Sequence, residues 1–78
     1  MFHIENAGIE CVRNGLAQGK KAYRKEWAEK GRFLILKDDK LTWSYPDSKG
    51  ASVFFRYGMI EEDFFAVDWV VEDYVEKS

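Results

Sequence analysis

The stretch "RFLILKDDKLTWSY", residues 32–45, decides the fold class. Residues 32–37 are a short apolar run without polar alternation, which predicts a strand covered on both faces. "DDK" (38–40) makes a tight turn. Residues 41–45 alternate cleanly, with Leu41, Trp43 and Tyr45 on one face and Thr42 and Ser44 on the other. Downstream, "YPDSKG" (45–50) holds the single proline, Pro46, and is the clearest loop signal. "SVFFRY" (52–57) then places Val53, Phe55 and Tyr57 on one face of a further strand, with Ser52, Phe54 and Arg56 opposite.

Working outward, "IEEDFFA" (60–66) suits one short helical turn with acids at its positive end. "VDWVV" (67–71) is the last strand, with Val67, Trp69 and Val71 on one face and Asp68 and Val70 on the other. "EDYVEKS" is expected to fray or to add a tail contact. Upstream, "KKAYRKEW" reads as a first strand. Residues 9–18 repeat Ile9, Val12 and Leu16 on one helical face. Asn6 is placed to cap this helix and Gly19 to stop it. Gly15 weakens its interior by up to ~1 kcal/mol, so the helix depends on packing against a sheet. "MFHI" is ambiguous and is compatible with a short added strand. The expected class is α+β: one domain over 1–78, with 1–8 as an N-terminal extension. An N-terminal helix packs on a mainly antiparallel sheet of four or five strands, and a short helical turn precedes the last one.

Composition narrows the function classes. A chain of 78 residues buries a modest core, and a single cysteine, Cys11, excludes an internal disulfide. With His3 as the only histidine, a Cys/His zinc site is not expected, nor any other metal or cofactor. The chain is 46% hydrophobic and 17% aromatic, rich for so little interior, which points to a subunit interface. No signal peptide is expected, because no apolar run follows a basic one. No apolar stretch approaches the ~20 residues that cross a bilayer. Charge is uneven: residues 1–57 sum to +4 and residues 58–78 to −6. Without a concentrated basic block, duplex nucleic acid is not an expected partner, whereas a small anion needs only two or three local cations.

No glycine-rich phosphate loop and no credible Ser/His or Cys/His pairing is present, so no catalytic residue is assigned and an enzyme is not expected. Aromatics interleave with arginines instead: Tyr23, Arg24, Trp27, Trp43, Tyr45, Arg56, Tyr57 and Trp69. Aromatic faces stack on nucleobases, and guanidinium forks pair with phosphates. The same residues also suit a small core with arginines reaching to solvent. If 20–27 is one strand, Arg24 and Trp27 point to opposite faces. They then meet one ligand only across a bend or from different subunits.

Two blocks resemble the second Thoeris anti-defence family of phage signal-sequestering sponge proteins. "IECVRNGLAQGKKAYRKEW" (9–27) is similar to that family's opening helix. Ile9, Val12, Leu16, Gly19 and two lysines are followed by an arginine and a tryptophan three apart, Arg24 and Trp27. "EEDFFAVDWVV" (61–71) is similar to its terminal pattern: an acid, two apolar residues, Ala, a spacer, then Asp-Trp and β-branched residues. Together the blocks cover about half the chain, near each end and in the right order. Residues 1–8, the "AEKG" after Trp27 and the short middle (38–58) depart from the family.

The resemblance implies a non-enzymatic homo-oligomer, a dimer or a tetramer. Such a protein binds a cyclic nucleotide or cyclic ADP-ribose-type messenger between subunits in the host cytoplasm. By motif position it implicates Arg24, Trp27, Asp68 and Trp69. Trp43, Tyr45 and Arg56 are candidate ligand residues on chemistry and strand placement. As a ligand residue, Trp27 truncated to Ala should lose binding more than stability. A different class of function also fits the sequence: a small inhibitor that docks on a host protein through an aromatic or acidic face.

Overall fold

The computed structural model describes residues 2–46, 48–49 and 52–74. Its elements in chain order are β1 (His3–Ala7), α1 (Ile9–Ala17), β2 (Lys21–Arg24), α2 (Lys25–Ala28), β3 (Phe33–Lys37), β4 (Lys40–Pro46), β5 (Ser52–Arg56), α3 (Glu61–Phe65) and β6 (Trp69–Glu72). The class is α+β. Six strands form one open sheet in the order β1-β6-β2-β3-β4-β5, and every neighbouring pair is antiparallel. The sheet exceeds the expected four or five strands because residues 3–7 add an edge strand on β6.

The β3–β4 hairpin closes through Asp38 and Asp39, both at positive φ (53° and 61°), with Lys37 paired to Lys40. Two left-handed residues make the turn whose twist matches that of paired strands, and Asp tolerates this conformation better than most residues. From there the register runs straight. Val71 faces Ala22, Ala22 faces Leu34, Leu34 faces Trp43, and Trp43 faces Phe55. Register partners share a face, so these five side chains form one row across the sheet.

Helix α1 lies over the β6–β2–β3 part of that row. Its glycine is the reason it lies so close: a Cβ on Gly15 would stand 2.4 Å from Val71 Cγ1. The helix stops as expected, with Gly19 at φ 81°. Gly19 N–H bonds Leu16 O at 3.1 Å and Lys20 N–H bonds Gly15 O at 2.9 Å, the paired closure of a glycine-capped end. Its start differs from expectation. Gly8 is the N-cap, with no side-chain cap bond. Asn6 sits at φ 56° where the β1 register shifts, and its side-chain oxygen accepts Lys25 Nζ at 2.6 Å.

"KKAYRKEW" is not one strand. β2 ends at Arg24 and α2 begins at once, although Lys25 N–H still bonds Asp68 O at 3.3 Å, one step further along the β2–β6 register. That bend brings Trp27 to the same face as Arg24, where it meets the Trp69 ring edge-on at 5.1 Å. Val12, Leu16, Ala22, Trp27, Leu34, Tyr57, Trp69 and Val71 make the core. The 32–37 run is apolar on both faces, but only its start is well covered: Leu34 and Ile35 are buried, whereas Leu36 is exposed. β6 starts at Trp69, two residues later than expected, and Val67 is exposed rather than paired. The expected loop at 45–50 lies partly outside the described residues, at 47 and 50, as does the tail at 75–78. Among the described residues, no helix is long and apolar enough to cross a membrane.

Candidate functional site

Two arginine–aromatic constellations lie on the helix-bearing face. The first centres on Arg24 at the end of β2. Its Nε donates to Asp68 Oδ1 at 2.9 Å and its Nη2 to Asp68 Oδ2 at 3.3 Å, a two-pronged pairing. Nη1 donates to Asp63 Oδ1 at 3.0 Å. Glu26 and Glu62 each place a carboxylate oxygen 3.6 Å from the same nitrogen. Asp63 is buried in α3. Its second oxygen accepts the Tyr57 hydroxyl, and its backbone carbonyl accepts Trp69 Nε1–H at 2.9 Å.

This network is internally satisfied. Among the described residues, no buried side-chain nitrogen or oxygen lacks a partner. Hydrogen bonding to Asp68 holds the Arg24 guanidinium above its ordinary pKa, and the same bond holds the Asp68 carboxyl below its own. Burial pushes the Tyr57 phenol up, and its bond to Asp63 adds to the effect. Four carboxylates surround one guanidinium, so the neighbourhood is acidic. An incoming phosphate would have to displace a bonded carboxylate and then face the remaining ones. Of the residues the resemblance implicates, Arg24, Asp68, Trp27 and Trp69 are therefore brought together, but around each other. Trp69 is fully buried and Trp27 nearly so.

The second constellation is open. Beyond the reach of α1, the same face of β4 and β5 carries Trp43, Tyr45 and Phe55. With Arg32, at the entry to β3, they line a cleft of 320 Å³. The Tyr45 and Phe55 rings lie 5.5 Å apart and 5° from parallel. Tyr45 faces Val53 and Phe55 faces Trp43, so the two stacked rings are diagonal neighbours across the β4–β5 pair. The Arg32 guanidinium carbon is 5.7 Å from the Tyr45 ring centre, within cation–π range. Among the described residues, no carboxylate pairs with Arg32. Trp43 joins cleft and core: it touches the Trp27 ring at 4.4 Å and the Tyr57 ring at 4.9 Å.

A second cleft, of 250 Å³, also has Arg32 in its wall, together with Lys21, Tyr23, Phe33 and Glu72. Its lysine is already engaged, 3.3 Å from Glu72, and Glu72 also holds His3 at 2.9 Å. Arg56 does not join Trp43 and Tyr45. It faces Thr42, which alternates with Trp43, and so lies on the opposite side of the sheet. Arg32 and Phe55 were not singled out by sequence. The one signal for Phe55 was its alternation with Val53 and Tyr57, and none marked Arg32 as unpaired. Among the described residues, no cluster of His, Cys, Asp or Glu is disposed to hold a metal ion. Comparison with protein-family models, curated proteins and solved structures found no match to this chain.

Proposed function

We propose that this chain is a binding protein that sequesters a cyclic nucleotide or cyclic ADP-ribose-type signal without cleaving it. It would act as a phage-encoded homo-oligomer in the host cytoplasm. The observation that carries this proposal is the Arg32–Trp43–Tyr45–Phe55 cleft. It offers two parallel aromatic rings beside a guanidinium that has no carboxylate partner among the described residues. Stacking on such rings is worth about 1–3 kcal/mol per base and tolerates any base, while the guanidinium takes the phosphate. At 320 Å³ the cleft is at the small end of ligand sites, the size for one base with its sugar and phosphate. The likeness of residues 9–27 and 61–71 to the sponge family supports the same reading. The cleft, rather than the Arg24 network, is then the place for the ligand.

Titration calorimetry against cyclic dinucleotides and cyclic ADP-ribose isomers tests this. Binding of at least one, with the ligand recovered intact by mass spectrometry after heating, is the expected result. Silence across the panel from folded protein would overturn it. A second reading, docking on a host protein, is favoured by α3. There Phe64, Phe65, Ile60 and Val67 are all exposed beside Glu61 and Glu62. Phe65→Lys, which puts a charge on the apolar patch, would abolish host-protein capture on that reading and leave nucleotide binding untouched on the first.

A further inference from the structure

We infer that the free edge of β5 pairs with the β5 of a second copy of this chain, continuing the sheet and joining two aromatic clefts into one site. This deepens the oligomeric sponge reading and rests on it only for the ligand.

The two ends of the sheet differ. At one end, β1 is interrupted: its register shifts between Ile4 and Ala7, and Asn6 takes a left-handed conformation. Interruptions of this kind keep an edge from recruiting another strand. At the other end, β5 runs five residues in unbroken register with β4, from Arg56 opposite Thr42 to Ser52 opposite Pro46. Phe54 and Phe55 are exposed there. An exposed, apolar, regular edge is a template for strand addition.

The backbone direction fixes which groups are free. Tyr57 N–H bonds Leu41 O at 3.0 Å, continuing the β4–β5 register. Alternation then aims the N–H and C=O of Phe55 and Val53 at β4, and those of Phe54 and Arg56 at the free edge. A two-fold axis midway between the Phe54 residues of two antiparallel copies matches these outward groups. Phe54 exchanges both hydrogen bonds with the second copy's Phe54, and Arg56 does so with Ser52. No like charges stand directly opposite, and Val53 meets the second copy's Phe55. The edge is therefore complementary to itself, which selects a second copy over an unrelated strand.

The axis is perpendicular to the sheet, so both helix-bearing faces lie on the same side. Tyr45 faces Val53 within one copy. The second copy's Phe55 consequently stands next in line and adds a wall to the cleft that one chain leaves open. The two β4 strands are then three strand spacings apart, about 14 Å. Two one-base clefts at that separation form a symmetric site for a ligand that carries two bases. A five-residue strand pair buries less than the roughly 800 Å² per partner of a standard interface. Dimerisation is therefore concentration-dependent and is strengthened by a bridging ligand.

Sedimentation equilibrium without ligand tests the pairing, on the full chain and on Phe54→Lys and Phe54→Glu, each checked for folding by circular dichroism. The full chain should dimerise with concentration. Each variant alone should weaken the dimer by at least about tenfold, and an equimolar mixture should restore it. Amide exchange on the unmutated chain gives a second readout, with Phe54 and Arg56 amides protected only at high concentration. A monomer at all concentrations, or a dimer indifferent to both substitutions, would overturn the inference. Calorimetry with the nucleotide panel is scored separately. A nucleotide-binding monomer would fail the pairing alone, and a β5 dimer that binds no nucleotide would fail the functional proposal alone.

Discussion

Arg24 and Arg32 bracket the same connection between β2 and β3, and each lies near tryptophan. Arg24 spends its donors on Asp63 and Asp68, with two more carboxylates close by. Arg32 lies over a tyrosine ring, and among the described residues it has no acidic partner. The difference separates two uses of one chemistry. A guanidinium whose carboxylates are supplied in cis fastens an element, here α3, to the sheet. A guanidinium beside open aromatic rings still has its fork to offer. Arginine–aromatic spacing alone does not distinguish these uses, because the distinction lies in where the acids come from.

Asp63→Ala should show the largest effect. It leaves Arg24 short of a buried partner and strands the Tyr57 hydroxyl, a loss of about 3–5 kcal/mol for breaking a buried charge pair. Urea denaturation measures it. A variant of near-native stability that had lost ligand would instead make the closed network the site. Trp27→Ala comes next, at roughly 3–5 kcal/mol for emptying an aromatic core position. Its cost should fall on stability, the reverse of what a ligand residue would show, since its ring lies against Trp43 and Trp69.

On the open side, Arg32→Gln should weaken nucleotide binding about 10- to 100-fold, as expected for a charge-assisted bond worth roughly 1.5–3 kcal/mol. Calorimetry should show that loss with little change in urea midpoint. Tyr45→Ala should cost about 5- to 100-fold in affinity through lost stacking. Equal stability losses from Arg32→Gln and Asp63→Ala would erase the contrast between the two arginines.

The smallest effect is acid sensitivity. Asp68 has its folded pKa lowered by Arg24, so its contribution is complete above the ordinary value of 3.8 and is lost as pH falls below it through the depressed folded value. Stability should fall with pH in that acid range, and Asp68→Asn should flatten the fall.

Local chemistry made part of this legible. The turn at Asp38–Asp39, the alternation of Leu41, Trp43 and Tyr45, and the stop at Gly19 follow from rules that act within a few residues. What failed to show were features set by distant partners. β2 gives way to α2 at Lys25, an amide that still bonds Asp68 O far along the chain. The acidic turn "EED" has the composition of a solvated helix start, yet Asp63 is buried because Arg24 and Tyr57 meet it there. Residues 3–7 became a strand only because β6 lay open beside them. Candidate ligand residues divided the same way: Trp43 and Tyr45 were placed by alternation, whereas Arg32 stood out only once its surroundings were known.

The most direct test is a side-chain NMR titration that follows the arginine Nε–H resonances as the nucleotide panel is added. The Arg32 resonance should move with the ligand that binds, while the Arg24 resonance, locked to Asp68, stays in place. Movement of Arg24 with Arg32 silent, or no movement of either across the panel, would contradict the assignment of the open cleft as the binding site.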